Sequence, residues 1–187
     1  MAFATRIRRL ATAGVVSVLS TVAATPALAI SDTGTTGAHD ITAETVLISD
    51  PARDLFLTAH DLDDQVWFEP LGDGPPLPDH QDWILEPVRD ATEPDVVRIV
   101  SATRGGCLEI DTTGGSASGP VYRRTCDRAT EEHWQLRDAG DGAVTIVNVA
   151  GGGCLQPAEI WGGQYPPMRH ESCAGADVQR FRIIERL

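Results

Sequence analysis

Apolar positions along the chain fall in short β-branched runs, Thr45–Ile48, Val96–Val100 and Ala143–Val147, each bounded by Gly, Asp or Pro. Branched side chains suit the pleated surface of a sheet, and turn residues at both ends hold each run to strand length. No stretch sustains a 3.6-residue apolar period between capping residues, so the pattern predicts strands throughout. Asp141-Gly142 stands between Gln135-Leu136 and Val144-Thr145, the signature of a two-residue hairpin turn.

The strand pattern repeats. Ile99-Val100-Ser101 through Cys107-Leu108 returns without a gap as Ile146-Val147-Asn148 through Cys154-Leu155. Cys126 and Cys173 each follow their first cysteine by 19 residues, and Trp134 and Phe181 each follow that second cysteine by 8. Glu132-His133-Trp134 and Gln179-Arg180-Phe181 close the two copies. A third copy without cysteines lies upstream, from Leu47-Ile48-Ser49 to Gln81-Asp82-Trp83. Its first ten residues align without a gap, which puts Leu55 at the first cysteine; Val66–Leu71 aligns separately with Val121–Cys126, which puts Leu71 at the second, and Gly72–His80 is a local insertion. Self-similarity at this period marks one supersecondary unit used three times.

Charge and the N-terminus set the context. Arg6, Arg8 and Arg9 precede an apolar run from Leu10 to Ala24, and Ala27-Leu28-Ala29 has the small-x-small form of a cleavage site. Residues 1–29 therefore read as a secretory signal peptide, too short in its apolar part to span a membrane. Residues 30–43, rich in Gly, Thr and Ser, read as a flexible arm. The net charge is −12, and loss of three Arg and no acid with the leader makes it −15. Such a surface disfavours nucleic acid and anionic headgroups as partners, and membrane insertion is not expected. Four Cys in an exported chain are expected to form disulfides, for which three pairings exist.

Cys-Leu with a second Cys 19 residues on in two units, and a Gln-x-Trp or a variant of it near the end of all three, resemble the ricin B-chain lectin family. The resemblance runs from Thr45 to Leu187. It implies an all-β fold, a β-trefoil of three four-stranded repeats with pseudo-threefold symmetry, over 44–187 with repeats at about 45–92, 93–139 and 140–187. It implies the pairings Cys107–Cys126 and Cys154–Cys173, each closing a loop worth roughly 3 kcal/mol in the chain-entropy model. It also makes Trp83, Trp134 and Phe181 core aromatics. Glu132, standing where the family has Gln, is expected to be tolerated if it faces solvent, because burying an unpaired carboxylate is costly.

In this family an Asp two residues after the first Cys, an aromatic two before the second and an Asn before the Gln-x-Trp hold the sugar. Here those positions carry Leu57, Glu109 and Gln156; Glu69, Arg124 and Glu171; and His80, Glu131 and Val178. The polar and aromatic groups left for carbohydrate are Glu109, Asp111 and Tyr122 in the middle unit and Trp161 and Tyr165 in the last. A carboxylate suits paired hydroxyls and a ring face suits a sugar's C–H face. No catalytic constellation, metal-ligand spacing or cofactor motif stands out. The function expected is a secreted, stand-alone lectin-like module that binds a glycan or polysaccharide and catalyses nothing. The alternative is a secreted trefoil that binds a protein, such as a protease inhibitor.

Overall fold

The structure, a computed structural model, describes residues 45–60, 64–71, 79–113, 118–159 and 165–186. The expected leader and arm, and Trp161, lie outside these residues. Strands account for the described chain apart from turns and three short 3-10 turns: β1 (Thr45–Asp50), β2 (Leu55–Ala59), β3 (Val66–Pro70), β4 (Trp83–Pro87), β5 (Val96–Ser101), β6 (Cys107–Ile110), β7 (Gly119–Arg124), β8 (His133–Gly140), β9 (Ala143–Asn148), β10 (Cys154–Pro157), β11 (Met168–Glu171) and β12 (Arg182–Glu185). No described helix is long and apolar enough to cross a membrane.

Six strands form a ring. Pairing passes from β1 to β4, β5, β8 and β9. β12 closes it, pairing with β1, while Phe181, the residue just before it, is joined to β9 by two 2.8 Å backbone hydrogen bonds with Val144. The hairpins β2–β3, β6–β7 and β10–β11 hang from this ring. The β8–β9 hairpin turns at Asp141-Gly142, both at positive φ (55° and 72°), as its sequence predicts.

Matched positions fill the interior: Ile48, Ile99 and Ile146; Leu57, Leu108 and Leu155; Val66, Val121 and Met168; Trp83, Trp134 and Phe181. All twelve are essentially inaccessible, and each such apolar side chain contributes about 1.5–3 kcal/mol relative to exposure. The indole N–H of Trp83 donates to the Leu57 carbonyl at 2.9 Å, and that of Trp134 to the Leu108 carbonyl at 2.8 Å. The disulfides are Cys107–Cys126 and Cys154–Cys173, as the resemblance implies.

These shared bonds correct the alignment of the first unit. Leu57 matches Leu108, so Phe56 stands where Cys107 does and Leu55 does not. Asp50, Ser101 and Asn148 are likewise equivalent, each buried and each capping the following turn with its side chain. In those turns Asp54, Gly105 and Gly152 take the same left-handed φ (55°, 63° and 66°), and their N–H groups reach back four residues. The ungapped sequence match is one residue out. In a sheet that slip exchanges the two faces, and the polar caps of the turn decide the true register. The Asp position of the first unit is therefore held by Thr58, not Leu57.

Glu132 is also corrected. It is fully buried, and its Oε1 and Oε2 accept the backbone N–H groups of Asp127 at 2.6 Å and Arg128 at 3.1 Å. Two N–H donors offset the desolvation that solvent exposure was expected to avoid.

His170, on β11, is buried opposite Gly119, whose missing side chain leaves room for the ring: a Cβ there would lie 3.2 Å from Nε2. Among the described residues neither ring nitrogen has a hydrogen-bond partner. Burial lowers its pKa from the ordinary 6.5, with Glu171 opposing and Arg169 assisting. The unfolded chain therefore binds this proton more readily than the folded one. Stability from a neutral His170 is complete above 6.5 and declines as pH falls towards the lower folded value. Urea denaturation over that interval is expected to show a stability loss on acidification that shrinks in His170→Phe, Phe being the residue at the matching position, Phe68. An equal loss in both proteins would exclude His170 as its source.

Candidate functional site

The hairpins carry the candidate groups because alternate residues on a strand share a face. In the middle unit Glu109 and Tyr122 are cross-strand partners on β6 and β7, and Asp111 follows two residues after Glu109. The three expected residues thus meet, but around Arg124. Its Nη1 donates to Glu109 Oε1 at 3.0 Å, its Nη2 to Asp111 Oδ2 at 3.3 Å, and its guanidinium lies 4.8 Å from the Tyr122 ring centroid. Burial raises the pKa of Glu109 against the pull of Arg124, with Glu132 and Asp127 adding to the rise. The Thr113 hydroxyl and N–H, bonded to Asp111 Oδ1, hold the Asp111 carboxyl below its usual value, with Arg124 assisting. The hairpin's polar groups are thus engaged with one another.

The last unit is arranged differently. Gln179 Nε2 donates to Gln156 Oε1 at 2.8 Å and to the Ser172 carbonyl at 3.0 Å, while its Oε1 accepts the Ala174 N–H at 2.9 Å. Arg169, facing Gln156 across the hairpin, pairs with Glu171 at 3.0 Å. Beside them opens a cavity of about 610 Å³ lined by Gln156, Glu159, Arg169, Glu171, Tyr165 and, from the first unit, Trp67. That volume suits a small-molecule site. Tyr165 is 48 % exposed, which leaves much of its ring open to a ligand.

In the first unit Thr58 is enclosed, accepting from Gln81 Nε2 at 3.0 Å and donating to the Phe56 carbonyl at 2.9 Å. His60 Nε2 lies 2.8 Å from Glu69 Oε1, and the His60 and His80 rings are 6.2 Å apart.

Comparison with known proteins fits this architecture. Residues 79–162 match the model of the ricin-type beta-trefoil lectin domain-like family. The chain has the β-trefoil fold, and its residues 79–162 are similar to the ricin-type lectin domain. Among solved structures, the designed threefold-symmetric protein ThreeFoil is similar at 18 % identity and TM-score 0.65, over 76 % of this chain and 99 % of that one. A Polyporus squamosus lectin, solved with a Neu5Aca2-6Galb1-4GlcNAc epitope, aligns at 15 % identity and TM-score 0.62, over 76 % and 49 %. An exo-beta-1,3-galactanase from Clostridium thermocellum aligns at 18 % identity and TM-score 0.62, over 78 % of this chain and 31 % of that one. These likenesses establish the trefoil fold. No curated protein matches the chain in sequence.

Within the trefoil, Gln156, Arg169 and Glu171 line the cavity, although their residue types depart from the family's sugar set. Their involvement was hidden because the cavity depends on the segment at 165–167 and on a strand from another unit. The grip of Arg124 was partly readable, since a register pairing Cys107 with Arg124 places an Arg near two acids. Arg124→Ala is expected to move the Glu109 carboxyl pKa further up, because desolvation then acts without its main counterweight. An NMR carboxyl titration in which that pKa stays or falls would contradict this account.

Proposed function

We propose that this trefoil is a secreted carbohydrate-binding module that acts by binding and performs no catalysis, and that its principal site is the cleft of the last unit. The observation that carries this reading is the cavity itself, with the half-exposed ring of Tyr165 beside the Gln156 amide and the Arg169–Glu171 pair. A sugar offers a C–H face to a ring and hydroxyls that both donate and accept, and these groups answer both needs. In the middle unit Glu109, Asp111 and Tyr122 form a secondary contact, reached once Arg124 gives way. Trp161, outside the described residues, is kept as a candidate carbohydrate contact from the sequence alone.

Matching turn caps and core positions in the three units support a pseudo-threefold arrangement. Export is supported by the basic and apolar leader and by the two disulfides; exported protein is expected to begin at Ile30 on N-terminal sequencing, and a start at Met1 would refute the leader. Tyr165→Ala is expected to lower affinity for whichever glycan an array selects by about 0.5–1.5 kcal/mol, with the fold intact by circular dichroism. Binding that survives this change undiminished, or a secreted protease as the sole ligand, would overturn the site or the function.

A further inference from the structure

The carbohydrate reading, on which the following rests, leaves the last unit's hairpin without a ring at the strand position that carries one in the other two units. Register places Trp67 on β3, Tyr122 on β7 and Arg169 on β11 at one matched position, each opposite the residue that stands for the family's Asp. The last unit therefore has a cleft and a polar Gln156 but an Arg where the other hairpins carry a ring. The first unit has the ring, yet its own polar partner, Thr58, is fully buried with its hydroxyl engaged on both sides.

The two deficits meet at one place. β3 is fastened to the last unit by the Phe68 N–H, which donates to the Pro166 carbonyl at 3.0 Å, and by a bridge between Trp67 and Pro167. This contact makes Trp67 a wall of the last unit's cleft. Trp67 also meets His60 edge to face, with ring centroids 6.3 Å apart, and His60 is bonded to Glu69. The His60 and Glu69 side chains remain 36 % and 21 % exposed. Polar groups able to meet hydroxyls thus stand near Trp67 in the first unit as well as in the cleft.

We infer that the binding site spans two units and takes an oligosaccharide of at least two residues, with Trp67 at the junction as its specificity-determining residue. One sugar occupies the cleft against Tyr165 and Gln156, and the next passes Trp67 towards His60 and Glu69. A volume of about 610 Å³ lies in the range that holds ligands larger than one hexose.

The test titrates the mature protein with galacto-, gluco-, manno- and xylo-oligosaccharides from monomer to hexamer. For the series that binds, affinity is expected to rise at least about tenfold from monomer to dimer or trimer. Trp67→Ala is expected to remove most of that step, as loss of a stacked aromatic does, with Trp67→Phe intermediate should the alanine variant fold poorly. His60→Ala is expected to weaken the longer ligands and leave the monomer unchanged. Affinity independent of length, with Tyr165→Ala still damaging, would overturn the two-unit site and leave the cleft reading standing. Binding that ignores Tyr165, or no binding in any series, would overturn both.

Discussion

In each unit a buried aromatic near its end ties that unit's hairpin to the ring. The indoles of Trp83 and Trp134 fill the centre and each donates to the carbonyl of the leucine twenty-six residues earlier. That bond couples a non-directional apolar contact to one register, because the donor reaches only one carbonyl. Phe181 has no such donor; its backbone pairs with Val144 as Trp83 does with Val46 and Trp134 with Val97, and a disulfide holds the last unit's hairpin. The first unit has the indole and no disulfide, and only the middle unit has both.

The residue two places before each aromatic extends the same constraint to the hairpin surface. Gln81 and Gln179 each donate to the side chain at the family's Asp position, Thr58 and Gln156. Glu132 in the middle unit accepts backbone N–H groups and, as a carboxylate, has nothing to donate. Its charge also disfavours that of Glu109. Glu109 therefore finds its hydrogen bond across the hairpin, on Arg124, which covers Tyr122. A carboxylate in the interior and an arginine at the position of Glu69 and Glu171 thus go together in the closed middle unit. The last unit keeps its amide pair, and its cleft is open.

Much of this was written along the chain. The β-branched runs and the Asp141-Gly142 turn are local signals that determined strands and a hairpin, and the evenly spaced cysteines and terminal aromatics carried the resemblance that implied the bridges and the core. They carry over because packing two matched copies around one interior leaves little freedom for the residues that fill it. The first unit was harder to read, since without cysteines only apolar identity guided the match, and neighbouring Leu55, Phe56 and Leu57 are nearly interchangeable on that criterion. The buried caps Asp50, Ser101 and Asn148 broke the tie, and their equivalence is visible only once the turns are folded.

The site lay further from the sequence. Glu109, Asp111 and Tyr122 do converge, because alternation on paired strands is local. Their occupation by Arg124 depends on the rotamer of a long side chain reaching two carboxylates at once. The cleft of the last unit depends on still longer range, for it exists where β3 of one repeat is bonded to Pro166 of another. The sequence by itself determined the strands and the threefold repeat, since those follow from spacing within each unit, and its family resemblance supplied the trefoil, the bridges and the core aromatics. The tertiary structure alone decided which hairpin is open and which aromatic lines it, since that is set by contacts between units that no repeat records.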